Sequence, residues 1–130
     1  MVPYFKKVKE QLYDLGFDIT SEDPEEGIMV IDDEDKGVNN LVIDCEDDIV
    51  ILEQFILELK NPKYDTLKRL LQINRELVHG ALTLDDTGTR VIFRDTLQLE
   101  NLDHNELEAS INAIGLMMAE HARELIEMSQ

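Results

Sequence analysis

The chain has 130 residues, 43% of them hydrophobic and few of them Gly or Pro, which predicts one folded domain over residues 1–130. Its 29 acidic against 12 basic residues give a net charge of −17, which argues against nucleic acid as a partner. No apolar run reaches the roughly 18 residues that cross a bilayer, and the first residues are amphipathic, so we expect a cytoplasmic protein without membrane contact.

The first third of the chain predicts a helix followed by short strands. Residues 3–15 place Phe5, Val8, Leu12 and Leu15 on one helical face, and Gly16 ends the pattern. Residues 17–19 form a short extended piece before the acidic turn TSEDPEEG. Two strands are then expected at 27–32 and 39–45, separated by the turn DEDKG.

Residues 49–59 satisfy two patterns at once. Helical spacing aligns Ile49, Leu52, Ile56 and Leu59, whereas a period of two aligns Ile49, Ile51, Phe55, Leu57 and Leu59. The Ile and Val residues at the front of the segment and Pro62 just beyond it favour a strand. Glu53, Gln54 and Glu58 are compatible with a helix, which stays open as the alternative.

A second helix is predicted between Asn61 and Gly80. Asn61 would cap it, Pro62 would occupy its first turn, and its apolar side would carry Leu67, Leu70, Leu71, Asn74, Leu77 and Val78. The polar Asn74 on this side is expected to be a buried residue bonded to backbone where the helix meets the sheet.

The last third predicts a hairpin and a long helix. Residues 80–99 alternate about a turn at DDTG, with Val91, Phe93, Leu97 and Leu99 on one face and Arg90, Ile92, Arg94, Thr96 and Gln98 on the other. Asp103 and Glu106 have the spacing of a capping box. The helix they begin would bury Leu107, Ile111, Ile114, Met118, Ala122 and Leu125.

The elements predict an α+β fold, an antiparallel sheet with three helices in the order α-β-β-β-α-β-β-α, leaving room for one more short strand after the first helix. Several strands are apolar on both sides, unlike a sheet whose second face meets only water. An exposed apolar patch would mark a protein-binding or subunit surface. The strand residues assigned to this surface are Val42, Val50, Leu52, Ile56, Ile92 and Arg94.

No catalytic, cofactor or metal site is predicted. The single Cys45 lies among strand-forming residues and is interpreted as a small buried hydrophobe. DTG at 86–88 matches the aspartic-protease triplet, but Asp and Gly at a hairpin tip are explained by turn geometry. DDEDKG at 32–37 resembles a calcium loop that lacks the required Glu at its twelfth position. The residues His79, His104 and His121 are scattered and interpreted as surface or capping residues.

The block LLQINRELVHGALTLDDTGTRVIFRDTLQLENLDHNELEASINAI, residues 70–114, carries a family resemblance. Asn74 and Arg75 in the helix, the hairpin turn at 85–88 and LQLENLD before the last helix resemble the YbjN-like proteins, grouped by fold with the type III secretion chaperones (the Tir chaperone family). The order of elements over nearly the whole chain is also similar.

The resemblance implies a small acidic homodimer that holds an extended segment of a client protein and performs no covalent chemistry. It implies a dimer contact through the second helix and the neighbouring sheet, which adds Leu67, Leu70 and Leu71 to the expected interface. Secretion itself is not implied, because the YbjN-like branch occurs without a secretion apparatus. Two hypotheses therefore remain: a dimeric chaperone-like protein-binding module, or a regulatory or structural homodimer without a client.

Overall fold

The computed structural model describes residues 2–130, and in this part of the chain six strands and three α-helices form the fold. The elements are α1 (Phe5–Asp14), β1 (Asp18–Asp23), β2 (Ile28–Asp33), β3 (Val38–Cys45), β4 (Ile49–Glu58), α2 (Tyr64–Asn74), β5 (Ala81–Leu84), β6 (Arg90–Gln98) and α3 (His104–Met128). One turn of 3₁₀ helix, Glu34–Lys36, lies between β2 and β3. The predicted α+β class is confirmed, and β1 is the additional strand after the first helix.

The strands form one antiparallel sheet in the order β1-β2-β3-β4-β6-β5. Strands β1 to β4 follow one another as a meander, and α2 lies in the connection to the second hairpin. Because β6 rather than β5 pairs with β4, the two longest strands lie next to each other inside the sheet. The edges are the acidic β1 and the four-residue β5, and charge and shortness are both common protections of sheet edges.

The ambiguous segment is the strand β4, so the strand prediction is confirmed. It pairs with β3 on one side and β6 on the other, as expected for its β-branched residues. The register shifts between Phe55 and Leu57, and this bulge turns the following side chains over. The single period-two stripe predicted for 49–59 is therefore wrong: Ile49, Ile51 and Phe55 lie on one face, whereas Leu57 and Leu59 are buried on the other.

All three helices contribute to one core, which lies on one face of the sheet. The strand residues in the middle of this covered face are fully buried, and they include Met29, Ile43, Leu52 and Phe93. The helices supply Phe5, Val8 and Leu12 from α1, Leu70 and Ile73 from α2, and Leu107, Ile111, Ile114, Met117 and Leu125 from α3. Every apolar strand residue on the opposite face keeps part of its surface exposed. The fold is therefore two layers, helices on sheet.

Several predicted boundaries need correction. Strand β1 extends into the segment predicted as an acidic turn, because residues Asp18–Asp23 pair with β2. Helix α2 begins after Lys63, so Asn61 does not cap it, and it ends at Asn74 rather than near Gly80. After Asn74 the backbone N–H groups of Arg75, Glu76 and Leu77 donate hydrogen bonds to the carbonyl oxygens three residues earlier, as in a 3₁₀ turn. The α-helix therefore ends before Leu77 and Val78.

The hairpin and the last helix agree with the prediction. Gly88, with φ of 77°, completes the turn at 85–88 in a backbone conformation that favours glycine. The Asp103 carboxylate accepts a hydrogen bond of 2.7 Å from the backbone N–H of Glu106, which caps α3. The buried stripe of α3 contains Met117 and His121, whereas the predicted Met118 and Ala122 are only partly buried.

No helix in the part of the chain that the structure describes is long and apolar enough to span a membrane.

Candidate functional site

The candidate binding surface is the face of the sheet that points away from the helices, called the open face below. Its apolar side chains come from four adjoining strands: Ile28, Val30, Val42, Ile49, Ile51, Phe55 and Ile92. The registers place Val30 beside Val42 and Phe55 beside Ile92, so apolar residues meet across strand boundaries. The Phe55 ring is 45% exposed. Within residues 2–130 no helix covers this surface.

Two arginines of β6 lie among these apolar side chains. Arg94 is directly opposite Glu53 in the β4–β6 ladder and donates from Nη1 to Glu53 Oε1 at 2.6 Å. The Arg90 guanidinium lies over the Phe55 ring, 4.1 Å from its centre. Exposed pairs of this kind contribute at most about 1 kcal/mol to folding. The open face is therefore a mixed surface, in which apolar side chains surround an ion pair and Asp44 lies between two of them. It can be hydrated in a free subunit yet bury apolar area against a partner.

The structure brings together part of the predicted strand surface. Val42, Ile92 and Arg94 all lie on the open face, as expected. Val50 and Leu52 do not: both are fully buried on the covered face, because β4 alternates from Ile49 outward and Val50 inward. Ile56 lies at the bulge and packs against the core. Their assignment to an exposed surface is corrected.

The predicted residues of the second helix lie on the other side of the sheet. Leu70 is buried in the subunit's own core, and Leu67 packs half-buried against it. Leu71 points away from the core and is 71% exposed. Leu70 is therefore unavailable for a subunit contact, while Leu71 remains available. None of the three adjoins the open face, because α2 packs on the covered side.

The predicted surface lacked Ile51 and Phe55, which the structure places at the centre of the open face. A signal was present in the sequence, since Ile49, Ile51 and Phe55 share one period-two stripe at the front of β4. The same stripe also contained Leu57 and Leu59, which the bulge turns to the covered face. The sequence pattern does not show this bulge, so it could not separate these two buried leucines from the exposed residues before them.

A second apolar concavity lies on the helical side, between the turn after α2 and the middle of α3. Its volume is about 340 Å³, and its apolar wall includes Leu77, Val78, Leu116 and Met117. Val78 is 85% exposed and Leu116 is 63% exposed. Glu76 and Glu120 also line this groove. It is separated from the open face by the whole thickness of the sheet and core.

Cys45 and the DTG triplet do not form a catalytic arrangement within the described chain. Burial raises the pKa of the Cys45 thiol to about 12, and the neighbouring carboxylates of Asp44 and Glu46 add to this effect. Cys45 is thus a buried thiol, as predicted. Asp86 is exposed at the hairpin tip, where Asp85 rather than Asp86 accepts the hydrogen bonds of the turn.

The histidines differ in their surroundings. His104 is half-exposed at the start of α3 and lies 3.0 Å from Asp14, in line with a surface or capping role. His121 is only 7% exposed, so its interpretation as a surface residue is wrong. Its Nε2 atom faces Glu76 and Glu120. Among the described residues, these three form one group whose ligand atoms all lie within 4.8 Å of one another.

Comparisons with known proteins agree with the two-layer fold. The family CesT_Tir_1 matches residues 1–130. The structure is similar to that of YbjN from E. coli, named there as a candidate transcription regulator, with a TM-score of 0.69, 16% identity and 95% of each chain covered. It is also similar to a chain of the HopA1–SchA chaperone–effector complex, with a TM-score of 0.64, 14% identity, and 89% of this chain and 92% of that one covered.

A third similar structure is that of the Yersinia pestis type III secretion chaperone SycH in complex with a stable fragment of YscM2. Its TM-score is 0.56 at 11% identity, and the match covers 97% of this chain and 99% of that one. A search of curated proteins finds no match. At these identities the structural likenesses establish a shared fold.

Proposed function

The chain belongs to the CesT_Tir_1 family, and from that premise we propose that it is a non-enzymatic, cytoplasmic, dimeric chaperone-like module that holds an extended or amphipathic segment of a partner protein. The observation that carries this proposal is the open face, an apolar sheet surface that no element of residues 2–130 covers. The chaperone fold, and the presence of chaperone complexes among the similar structures, support it.

The open face suits a partner segment with alternating side chains. Apolar side chains from the partner would pack on Val42, Ile51 and Ile92, where β-branched residues already form a flat surface. The central Glu53–Arg94 pair offers one acceptor and one donor system for polar groups of the same segment. Burial of the exposed Phe55 ring would add the largest single apolar contribution.

Charge adds a criterion for the partner. A net charge of −17 attracts basic segments at long range and repels acidic ones. We therefore expect the preferred segment to alternate apolar residues with Lys or Arg. Association should slow as salt is added, because screening weakens this attraction.

The subunit contact is proposed for the helical side, so that the open face stays available to the partner. Leu71 and Tyr64 on α2 are 71% and 76% exposed, an unusual degree for two large side chains that lie two turns apart on a helix. Val78 and Leu116 are also exposed, and they line the groove beside α3.

The alternative is a regulatory or structural homodimer whose open face is covered by a second copy. The similarity to YbjN, named as a candidate regulator, keeps this function in view. Both functions require contact at the open face, but they differ in what makes the contact.

Site-specific photo-crosslinking in cells distinguishes the two. A photoreactive residue replaces Ile92 on the open face, and a matched control replaces the exposed Arg123 on α3. The chaperone-like function predicts cross-links from position 92 to segments of other proteins, enriched in apolar and basic residues, that are absent from position 123. Cross-links from position 92 only to a second copy would support the alternative. Equal, low cross-linking from both positions would contradict the use of the open face.

A further inference from the structure

A compact group of potential metal ligands joins the turn after α2 to the middle of α3. His121 Nε2 lies 3.1 Å from Glu76 Oε2 and 3.6 Å from Glu120 Oε2. The three ligand atoms lie within 4.8 Å of one another. Glu120 and His121 are neighbours on α3, whereas Glu76 comes from a separate segment of the chain. The group therefore depends on the tertiary fold and has no local sequence motif.

The imidazole of His121 is the buried member of this group. The residue is 7% exposed, whereas the side chains of Glu76 and Glu120 are 52% and 64% exposed. Although Nε2 is close to Glu76, the direction of approach does not make a hydrogen bond, and the atom has no hydrogen-bond partner among the described residues. A buried polar nitrogen without a partner is costly and rare in folded proteins. Something that satisfies Nε2 would remove this cost.

We propose that Glu76, Glu120 and His121 bind a divalent transition-metal ion, with Zn²⁺ as the best match. Bonds of about 2.0–2.2 Å in tetrahedral geometry place the ligand atoms of zinc roughly 3.3–3.6 Å apart. The two His121–glutamate separations of 3.1 and 3.6 Å are close to this spacing. One imidazole and two carboxylates are ordinary zinc ligands, and the exposed side of the group leaves a fourth position to water.

The surrounding charges favour a cation at this position. Arg69, which also faces this region from α2, is engaged by Glu124, with Nε donating to Oε2 at 2.6 Å. No ion pair joins this guanidinium to Glu76 or Glu120 within the described residues, although its charge interacts with that of Glu76 through space. The two carboxylates lie close to one buried imidazole in a chain of net charge −17, and they give this position a negative electrostatic potential.

The ion would fasten the turn at residues 75–79 to α3. Both glutamates line the apolar groove that also contains Val78 and Leu116, so metal binding would set the width of that groove. Ligands from two segments convert binding energy into stability of the contact between them. This inference does not depend on the proposed chaperone function.

The test is calorimetric titration of the metal-free protein with Zn²⁺, combined with thermal unfolding. We expect one equivalent to bind with a rise in melting temperature, and Mg²⁺ at equal concentration to bind far more weakly, since it disfavours imidazole. Glu76→Gln, at an exposed position, should fold normally and weaken Zn²⁺ binding about tenfold or more. The control is Glu127→Gln, an exposed glutamate of α3 outside the ligand group, which should leave binding unchanged.

His121→Asn provides a second ligand variant, and Co²⁺ absorption provides a readout of ligand geometry. The wild type and Glu127→Gln should show the visible bands of a tetrahedral Co²⁺ site, which both ligand variants should lose. Zn²⁺ binding that is equally strong in Glu76→Gln, Glu120→Gln and the control would overturn the proposal. So would the absence of stoichiometric binding by the wild type, and any remaining affinity would then belong to the acidic loops.

Discussion

Asn74, the last residue of α2, and Leu82, in the edge strand β5, exchange two hydrogen bonds. Asn74 Nδ2 donates to the carbonyl oxygen of Leu82 at 3.0 Å, and the Leu82 N–H donates to Asn74 Oδ1 at 2.6 Å. The side chain thus pairs with the backbone of an edge strand as a neighbouring strand would. It stabilises the end of α2 and holds β5 in place, so one amide joins the helical layer to the sheet.

We predict that Asn74→Ala destabilises the protein by about 2 kcal/mol, because it leaves a partly buried N–H and a carbonyl oxygen without partners. Chemical denaturation followed by circular dichroism measures this change. Asn112→Ala, at an exposed position of α3, is the control and should change the free energy of unfolding by less than about 0.5 kcal/mol. Equal effects of the two substitutions would show that the Asn74–Leu82 bonds contribute nothing.

The role of Asn74 was predictable because a polar residue on an apolar helical side usually bonds to backbone. The faces of β6 were predictable for a similar reason, since its side chains alternate without interruption and place Ile92 and Arg94 together. The sequence could not predict which side chains of β4 beyond Phe55 are buried, because the bulge depends on the pairing of β4 with β6 and not on the local hydrophobic pattern.

Two other errors have tertiary causes. Leu70 and Leu71 are chemically identical, and only the packing direction of α2 decides which is buried. The grouping of His121 with Glu76 joins residues 45 positions apart through a contact between a turn and a helix, and it has no spacing signal in the sequence.

Adjacent residues of β6 test the assignment of the two sheet faces. Phe93 is fully buried in the core, so Phe93→Asp should unfold the protein, at a cost above about 4 kcal/mol. Ile92 lies on the open face, and Ile92→Asp should keep the native circular dichroism spectrum with only a modest loss of melting temperature. Similar behaviour of the two variants in thermal unfolding would refute the two-layer arrangement.

Adjacent leucines of α2 test the proposed subunit contact. Leu71→Asp should leave the fold intact and shift the mass measured by multi-angle light scattering from dimer to monomer, because Leu71 is exposed on the helical side. Leu70→Asp should unfold the chain instead, since it places a charge in the core. A dimeric, folded Leu71→Asp variant would exclude this side of α2 from the contact.

The hairpin turn makes stability depend on pH through Asp85. A hydrogen bond of 2.6 Å from the Thr87 hydroxyl, together with bonds from the backbone N–H groups of Thr87 and Arg90, lowers the pKa of the Asp85 carboxyl. Because this pKa is lower in the folded chain, the stabilisation is complete above the unfolded pKa of about 3.9 and is lost as the pH falls through the folded pKa.

Asp85→Asn should therefore lower the denaturant midpoint at pH 7, and the difference from the wild type should shrink at pH values below the unfolded pKa. Denaturation curves recorded in steps from pH 7 to pH 2 measure the difference. The control is Asp86→Asn in the same turn, because the Asp86 carboxylate accepts no hydrogen bond from the described residues. A difference between wild type and Asp85→Asn that stays constant down to pH 2 would mean that charge on Asp85 does not stabilise the hairpin. Its contribution would then come from the shape of the turn alone.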